Sequence, residues 1–354
     1  MTALRHRSIP QRLTASRLTR RQALARGGVG LAAGVLIASG LSTRAGAQTP
    51  APELGADDFT GLVDIGGRKL YVESAGSGSP AVVLEAGLLG RSDVWSRDLE
   101  QPEGERQMVF PGVAEFTHVF TYDRPGTIGE VNPALEPYGP LFYPSRSDPV
   151  PMPRTFQDMA DDVDAVLRLS GQTGPYVLVG HSMGGLFMKY YAMTRPDAVA
   201  GLVLVDATTE DVWDSFRAKL SPDDWAGFEQ ATVENPELKA AYPDAEFLLT
   251  APLADDPNMA EVRRAREATP LKPMPMVVLT HGIPFEAPFP TWPVEEMEQV
   301  MLDNQMRVVQ SVPGAKHIVA EESGHNIHQD QPELVIEAIR MVVDAVRDPS
   351  TWTS

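Results

Sequence analysis

Hydrophobic residues in this chain gather into short runs rich in Val, Leu and Ile, separated by longer amphipathic stretches. Near the start, residues 59–65 and 69–74 alternate apolar with polar side chains around Gly66-Gly67, the pattern of a half-buried antiparallel hairpin. The runs at 80–86, 117–122, 176–181, 199–206, 276–280 and 316–321 are more continuously apolar, as strands covered on both faces must be. Between them, residues 156–169, the stretch after residue 182, 294–312 and 332–346 place apolar side chains at helical spacing. In the last of these Leu334, Val335, Ala338, Ile339, Val342 and Val343 share one face. Strands alternating with helices predict an α/β fold with a mostly parallel central sheet flanked by helices. No internal repeat is apparent.

Two long connections interrupt the alternation. Residues 126–154 hold Pro133, Pro137, Pro140, Pro144, Pro149, Pro151 and Pro153 with Tyr138, Phe142 and Tyr143, which suits a stiff loop anchored by aromatic rings. Residues 207–272, after the sixth strand, carry Trp213, Phe216, Leu220, Trp225, Phe228, Phe247, Leu248 and Leu249 in helix-like patterns and read as a cap over a pocket. Most of those apolar residues are expected to pack among themselves and against the sheet, with a few reaching a ligand.

The sharpest local signal is Gly180-His181-Ser182-Met183-Gly184, entered through Tyr176-Val177-Leu178-Val179 and continued by a helical stretch that closes before Pro196. A buried strand turning abruptly into a helix lifts the serine hydroxyl clear of the strand, the geometry of a nucleophile elbow. Glycines at 180 and 184 fit this reading because the turn brings the two backbones too close for side chains there.

Composition sets limits around that signal. With 354 residues and 43% hydrophobic content the chain can bury a large core. Residues 1–47 contain eight arginines and no acid, followed by an apolar stretch over 27–41 and the small residues Ala45-Gly46-Ala47. They read as a signal peptide, in which Thr19-Arg20-Arg21-Gln22-Ala23-Leu24 resembles the twin-arginine export motif. The stretch is too short and glycine-rich for a permanent membrane span. Export to the periplasm or outside the cell is the expected destination, with residues 48–58 as a linker and 59–347 as the catalytic domain. The net charge of −18 disfavours nucleic acid as a partner, and the acidity grows once the basic leader is set aside. The chain has no cysteine, which excludes disulfides, thiolate metal sites and a thiol nucleophile.

Further motifs give the elbow a context. Val82-Val83-Leu84-Glu85-Ala86-Gly87-Leu88, Thr121-Tyr122-Asp123-Arg124-Pro125-Gly126, and Ser323-Gly324-His325 followed by Gln331-Pro332-Glu333 together make residues 59–347 resemble an α/β-hydrolase fold enzyme of the esterase, lipase and haloperoxidase-like group. In that family the first motif is the strand and oxyanion turn, although Ala86 replaces the histidine often seen there. The third is the loop of the catalytic histidine. The resemblance implies acyl transfer to a serine: Ser182 as nucleophile, His325 as the base that takes its proton and later returns it, and a carboxylate that orients the imidazole. Asp206, ending the strand after the elbow helix, is the favoured acid. Glu210, Asp211 and Glu286 are the alternatives, because the later strand that carries the acid in most relatives gives Thr280-His281-Gly282 and no nearby aspartate. The backbone N–H groups of Leu88 and Met183 take the oxyanion-hole positions. Asp123 and Arg124 are expected to fix neighbouring loops.

The remaining histidines compete poorly as the base. His181 adjoins the serine at a packing position, and His118, His281 and His317 lie in or beside core strands. His328 stands three residues from His325, but no carboxylate motif accompanies the pair as a metal site would require, so neither metal nor cofactor is expected. A serine at the elbow argues against the epoxide hydrolase and haloalkane dehalogenase branches, whose nucleophile is an aspartate. The leading reading is an exported hydrolase of carboxylic esters acting on a small acyl substrate. Perhydrolysis as a side activity, a peptidase or amidase, and a non-catalytic ligand-binding protein are the alternatives.

Overall fold

The computed structural model describes residues 58–101, 104–130, 142–169, 174–233 and 252–352. The leader at 1–47, all of the linker but Asp58, the aromatic anchor Tyr138 and the cap residues Phe247, Leu248 and Leu249 lie outside the described residues.

The hydrophobic runs form one sheet. Its eight strands are β1 (Phe59–Asp64), β2 (Lys69–Ala75), β3 (Val82–Glu85), β4 (Val119–Tyr122), β7 (Tyr176–His181), β8 (Val199–Val205), β9 (Met276–His281) and β10 (Lys316–Ala320). A separate two-stranded ribbon pairs β5 (Ile128–Glu130) with β6 (Phe142–Pro144). The order in the main sheet is β1-β2-β4-β3-β7-β8-β9-β10. The pairs β1/β2 and β2/β4 are antiparallel and all pairs from β4 to β10 are parallel. The long insertion therefore follows the sixth strand of the main sheet, as its sequence position predicts.

Among the described residues the α-helices are α1 (Val109–Ala114), α2 (Phe156–Leu169), α3 (Ser182–Thr194), α4 (Val212–Arg217), α5 (Pro222–Val233), α6 (Pro257–Ala268), α7 (Val294–Ser311), α8 (Ile327–Asp330) and α9 (Pro332–Arg347). Alternate residues of each parallel strand face opposite sides, so the sheet divides the core in two. Leu178, Leu202, Leu204 and Val278 join α2, α3 and α7 on one face. Val177, Val179, Val203 and Leu279 join α1 and α9 on the other. In α9 Val335, Ala338, Ile339, Val342 and Val343 are all fully buried, and valine- or isoleucine-sized side chains each contribute about 1.5–3 kcal/mol from that burial.

Two features escape the periodicity argument. The helix α1 contains Pro111 and Gly112, which intrinsic propensity disfavours. It forms because it packs on α9, where Gly112 leaves room for Ile336: a Cβ at residue 112 would lie 2.4 Å from the Ile336 Cδ1. The proline-rich connection at 126–154 holds the ribbon β5/β6, whose strands are too short for an alternation to register.

Candidate active site

Strand β7 is buried throughout and runs directly into α3 at Ser182, whose φ of +53° lies in the left-handed region. A non-glycine residue held there costs on the order of 1–2 kcal/mol, which the surrounding packing must offset. The packing is tight enough to do so. A Cβ on Gly180 would sit 2.5 Å from the Gly184 carbonyl oxygen, and one on Gly184 would sit 2.2 Å from that of Ala86. Elbow and helix can close against the end of β3 only because both positions lack side chains.

That close approach also places the turn after β3 beside the serine. A Cβ on Gly87 would come within 3.2 Å of the Ser182 Cβ, so Leu88 follows a residue that abuts the serine directly. Met183 lies in the first turn of α3, where a helix leaves its N–H groups without intrahelical acceptors and concentrates positive potential. The turn is braced by Arg124, which is buried, pairs with Glu85, and donates to the Ala86 and Gly87 carbonyls at 2.8 and 2.6 Å. Asp123 accepts from the Ser92 backbone and side chain and from Arg146. Both residues hold loops, as the sequence predicts.

His325, in the loop between β10 and α8, presents Nδ1 to Asp206 Oδ2 at 2.6 Å. Its side chain is 30% exposed while that of Asp206 is fully enclosed. Asp206 follows β8 with a φ of +42° and donates its own N–H to the Leu279 carbonyl. Burial pushes the Asp206 carboxyl up, but hydrogen bonds from His281 and His325 overrule it and hold the group below its ordinary value. The other acids considered from sequence have different surroundings. Glu210 pairs with Lys189 and Arg266, Asp211 with Arg263 and Arg266, and Glu286 is exposed.

Ser182 and His325 line one cavity of about 300 Å³. Val212, Trp213, Phe216 and Phe228, from the connection between β8 and β9, form its apolar wall with Phe285, Trp292, Met297 and Met301. The rings of Phe216, Phe228 and Trp292 pack with centroids 5.3–5.8 Å apart. Among the described residues, Glu286 and Glu298 are the carboxylates that line it.

The remaining histidines separate clearly. His118 bonds the Gly76 carbonyl, His317 bonds Thr280, and His328 is buried against Trp95, where desolvation and then the charge of His325 push it down to about 3. His181 is buried, held well below its ordinary value by desolvation, and its Nε2 lies 2.9 Å from the His325 carbonyl, tying the serine's neighbour to the histidine loop. His281 is the departure from the sequence reading. It does not serve merely as part of a core strand: it ends β9 with Nδ1 2.8 and 2.9 Å from the two Asp206 oxygens and Nε2 2.7 Å from Glu298. The available signal was its place at the C-terminal end of a parallel strand, the same sheet edge that carries Ser182 and Asp206. Glu298 gave none, being one polar residue in an amphipathic helix.

Comparison with known proteins places this geometry in context. The model of the alpha/beta hydrolase family matches residues 76–338. A candidate transporter, efuK of Hormonema carpetanum, is 24% identical over 80% of this chain and 42% of its own length. A candidate carbamate hydrolase, RutD of Klebsiella pneumoniae (strain 342), is 32% identical over 36% of this chain and 38% of its own. The chain thus spans less than half the length of these curated relatives. Among solved structures, carboxylesterase CesB of Bacillus subtilis aligns with a TM-score of 0.50 at 15% identity, covering 81% of this chain and 91% of that one, a likeness of fold.

Proposed function

The chain belongs to the alpha/beta hydrolase family, and we propose that within it this protein is a serine hydrolase of uncharged carboxylic esters. The observation that carries the reading is the His325–Asp206 hydrogen bond beside a strained serine on one cavity. With Nδ1 given to Asp206, Nε2 is the ring nitrogen left for the serine proton. Ser182 Oγ attacks the ester carbonyl as Nε2 accepts that proton, and a C–O bond forms to give a tetrahedral oxyanion. Backbone N–H groups of Met183 and Leu88 receive the oxyanion. The imidazolium then protonates the leaving alkoxide as its C–O bond breaks, leaving an acyl-serine and an alcohol. Water, deprotonated by Nε2, repeats the attack and releases the acid. Asp206 keeps the tautomer correct and stabilises the imidazolium without taking the proton.

The cavity supports a neutral, apolar acyl group of medium size. Its wall is aromatic and aliphatic, and its carboxylates Glu286 and Glu298 disfavour an anionic substrate. We read residues 207–272 as the covering segment, since Val212, Trp213, Phe216 and Phe228 come from it. Hydrolysis of p-nitrophenyl esters from acetate to palmitate tests the proposal. Turnover is expected to peak at intermediate chain length and to fall by roughly 10⁴-fold or more in Ser182→Ala. Equal activity in that variant would remove the mechanism, and failure of a phosphonate to label Ser182 would favour a non-catalytic binding role. Export is likewise proposed from residues 19–24, and the mature amino terminus should lie near Gln48. A protein retaining Arg20-Arg21 would refute it.

A further inference from the structure

Asp206 and His281 line a second cavity of about 420 Å³, distinct from the one lined by Ser182 and His325. Glu298 borders both cavities, and His281 stands between it and Asp206. A neutral imidazole carries one N–H and one lone pair. With a carboxylate oxygen within 2.9 Å of each His281 nitrogen, the neutral ring would aim its lone pair at an anion, so only the doubly protonated ring satisfies both neighbours.

We propose that His281, held as an imidazolium between Asp206 and Glu298, is a positioning residue of the active site that sets the Asp206 carboxylate for His325. The inference rests on the serine-hydrolase reading and assigns His281 no contact with substrate. Three features support it. Asp206 Oδ1 accepts from both the His281 backbone N–H at 3.2 Å and Nδ1 at 2.8 Å, which pins the carboxylate with Oδ2 toward His325. The His281–Glu298 pair is neutral as a whole, so the imidazolium formed on His325 during turnover still faces one net negative charge. Glu298 also accepts from the Phe285 N–H at 3.0 Å, and the Phe285 ring packs 4.8 Å from that of His281 and 5.3 Å from that of His325. The pinning of Asp206 is thereby joined to a wall of the substrate cavity.

The charged groups facing His281 are Asp206 from the end of β8, Glu298 and Glu295 from α7, and Glu321 from the end of β10. His325 lies across Asp206, and among the described residues no lysine or arginine lines the cavity. Burial pushes His281 down, but hydrogen bonds and charge from Asp206 and then Glu298 raise it to about 9. Loss of its proton would deprive one carboxylate of its donor, so either Asp206 turns from His325 or Glu298 releases Phe285.

The test measures kcat and KM for p-nitrophenyl butyrate between pH 6 and 10.5, using the full chain and the variants His281→Ala, His281→Asn and Glu298→Gln, with Ser182→Ala alongside. The wild-type kcat should fall above about pH 9. His281→Ala should lower kcat about 10- to 100-fold with little change in KM and abolish the alkaline fall. In His281→Asn the amide N–H stands where Nδ1–H was, so kcat should recover about tenfold while the profile stays flat. Glu298→Gln should move the fall to lower pH by about one unit, because a carboxylate no longer favours the charged ring. If His281→Ala does not fold, the other two variants decide. Variants with wild-type kcat and an unchanged alkaline limb would overturn the inference while a dead Ser182→Ala left the hydrolase reading standing. An active Ser182→Ala would overturn both.

Discussion

Replacing Asp206 by asparagine changes one buried oxygen for an NH₂ group and keeps the shape. His281 Nδ1 lies near both oxygens, but the His281 backbone N–H, which can only donate, points to Oδ1, so the asparagine amide should keep its oxygen there and turn its NH₂ to the Oδ2 position, 2.6 Å from His325 Nδ1. A donor cannot face a donor. His325 must then shift its proton to Nε2, the nitrogen that the proposed mechanism needs free for the serine proton, and the proposed base is lost. The charge is lost too. A unit pair about 4 Å apart is worth about 4 kcal/mol at an effective dielectric near 20, or about 10³-fold in rate, and the wrong tautomer adds to this. The expected outcome is a kcat about 10³- to 10⁴-fold lower at pH 8 with KM nearly unchanged, because Asp206 is 1% exposed and does not line the cavity that Ser182 and His325 share. Steady-state kinetics of a p-nitrophenyl ester, with the melting temperature measured in parallel to exclude unfolding, makes the test. A kcat loss under tenfold, or a greater loss in Glu286→Gln, would refute the assignment of the acid.

Gly184→Ala should be poorly tolerated, since its Cβ would meet the backbone oxygens of Ala86 and Glu85 at 2.2 and 2.8 Å, neither of which can rotate away. A loss of about 3 kcal/mol or more is expected, read as a melting temperature lowered by roughly 6–12 °C, and a change under 2 °C would contradict the tight elbow. Stability should also depend on alkaline pH. Because His281 titrates higher folded than its ordinary 6.5, its contribution is fully present below about pH 6.5 and lost as pH rises through about 9. Allowing for solvent screening it amounts to about 2 kcal/mol, so the melting temperature should fall by about 4–8 °C between pH 6.5 and 10, and much less in His281→Asn.

Much of this molecule is written in local pattern. Strand β7, helix α2 and the start of α7 lie where the apolar spacing puts them, because a strand covered on both faces needs an unbroken apolar run and a covered helix needs a stripe. The elbow is legible for the same reason: two glycines flanking a serine describe a backbone contact four residues long. The loop of His325 is legible only through resemblance, since nothing local in Ser323-Gly324-His325 says what the imidazole faces.

What tertiary structure alone decides is which distant groups meet. Asp206 becomes the partner of His325 because β8 and β9 pair in parallel with Val205 opposite Leu279, and β9 and β10 continue the sheet. That register brings residues 206, 281 and 325 to one edge, although the first and last stand 119 positions apart. His281 shows the limit most clearly. Its sequence neighbours describe the end of a buried strand, and they do so correctly. Its charge depends on Asp206 from one strand and Glu298 from a helix, and pairwise electrostatics at 3 Å leave no trace in a chain read one residue after another. The same holds for α1, which its proline and glycine disfavour and which only the face of α9 makes stable. Sequence fixes the elements whose physics is periodic, while packing and register assign the chemistry that depends on who is adjacent.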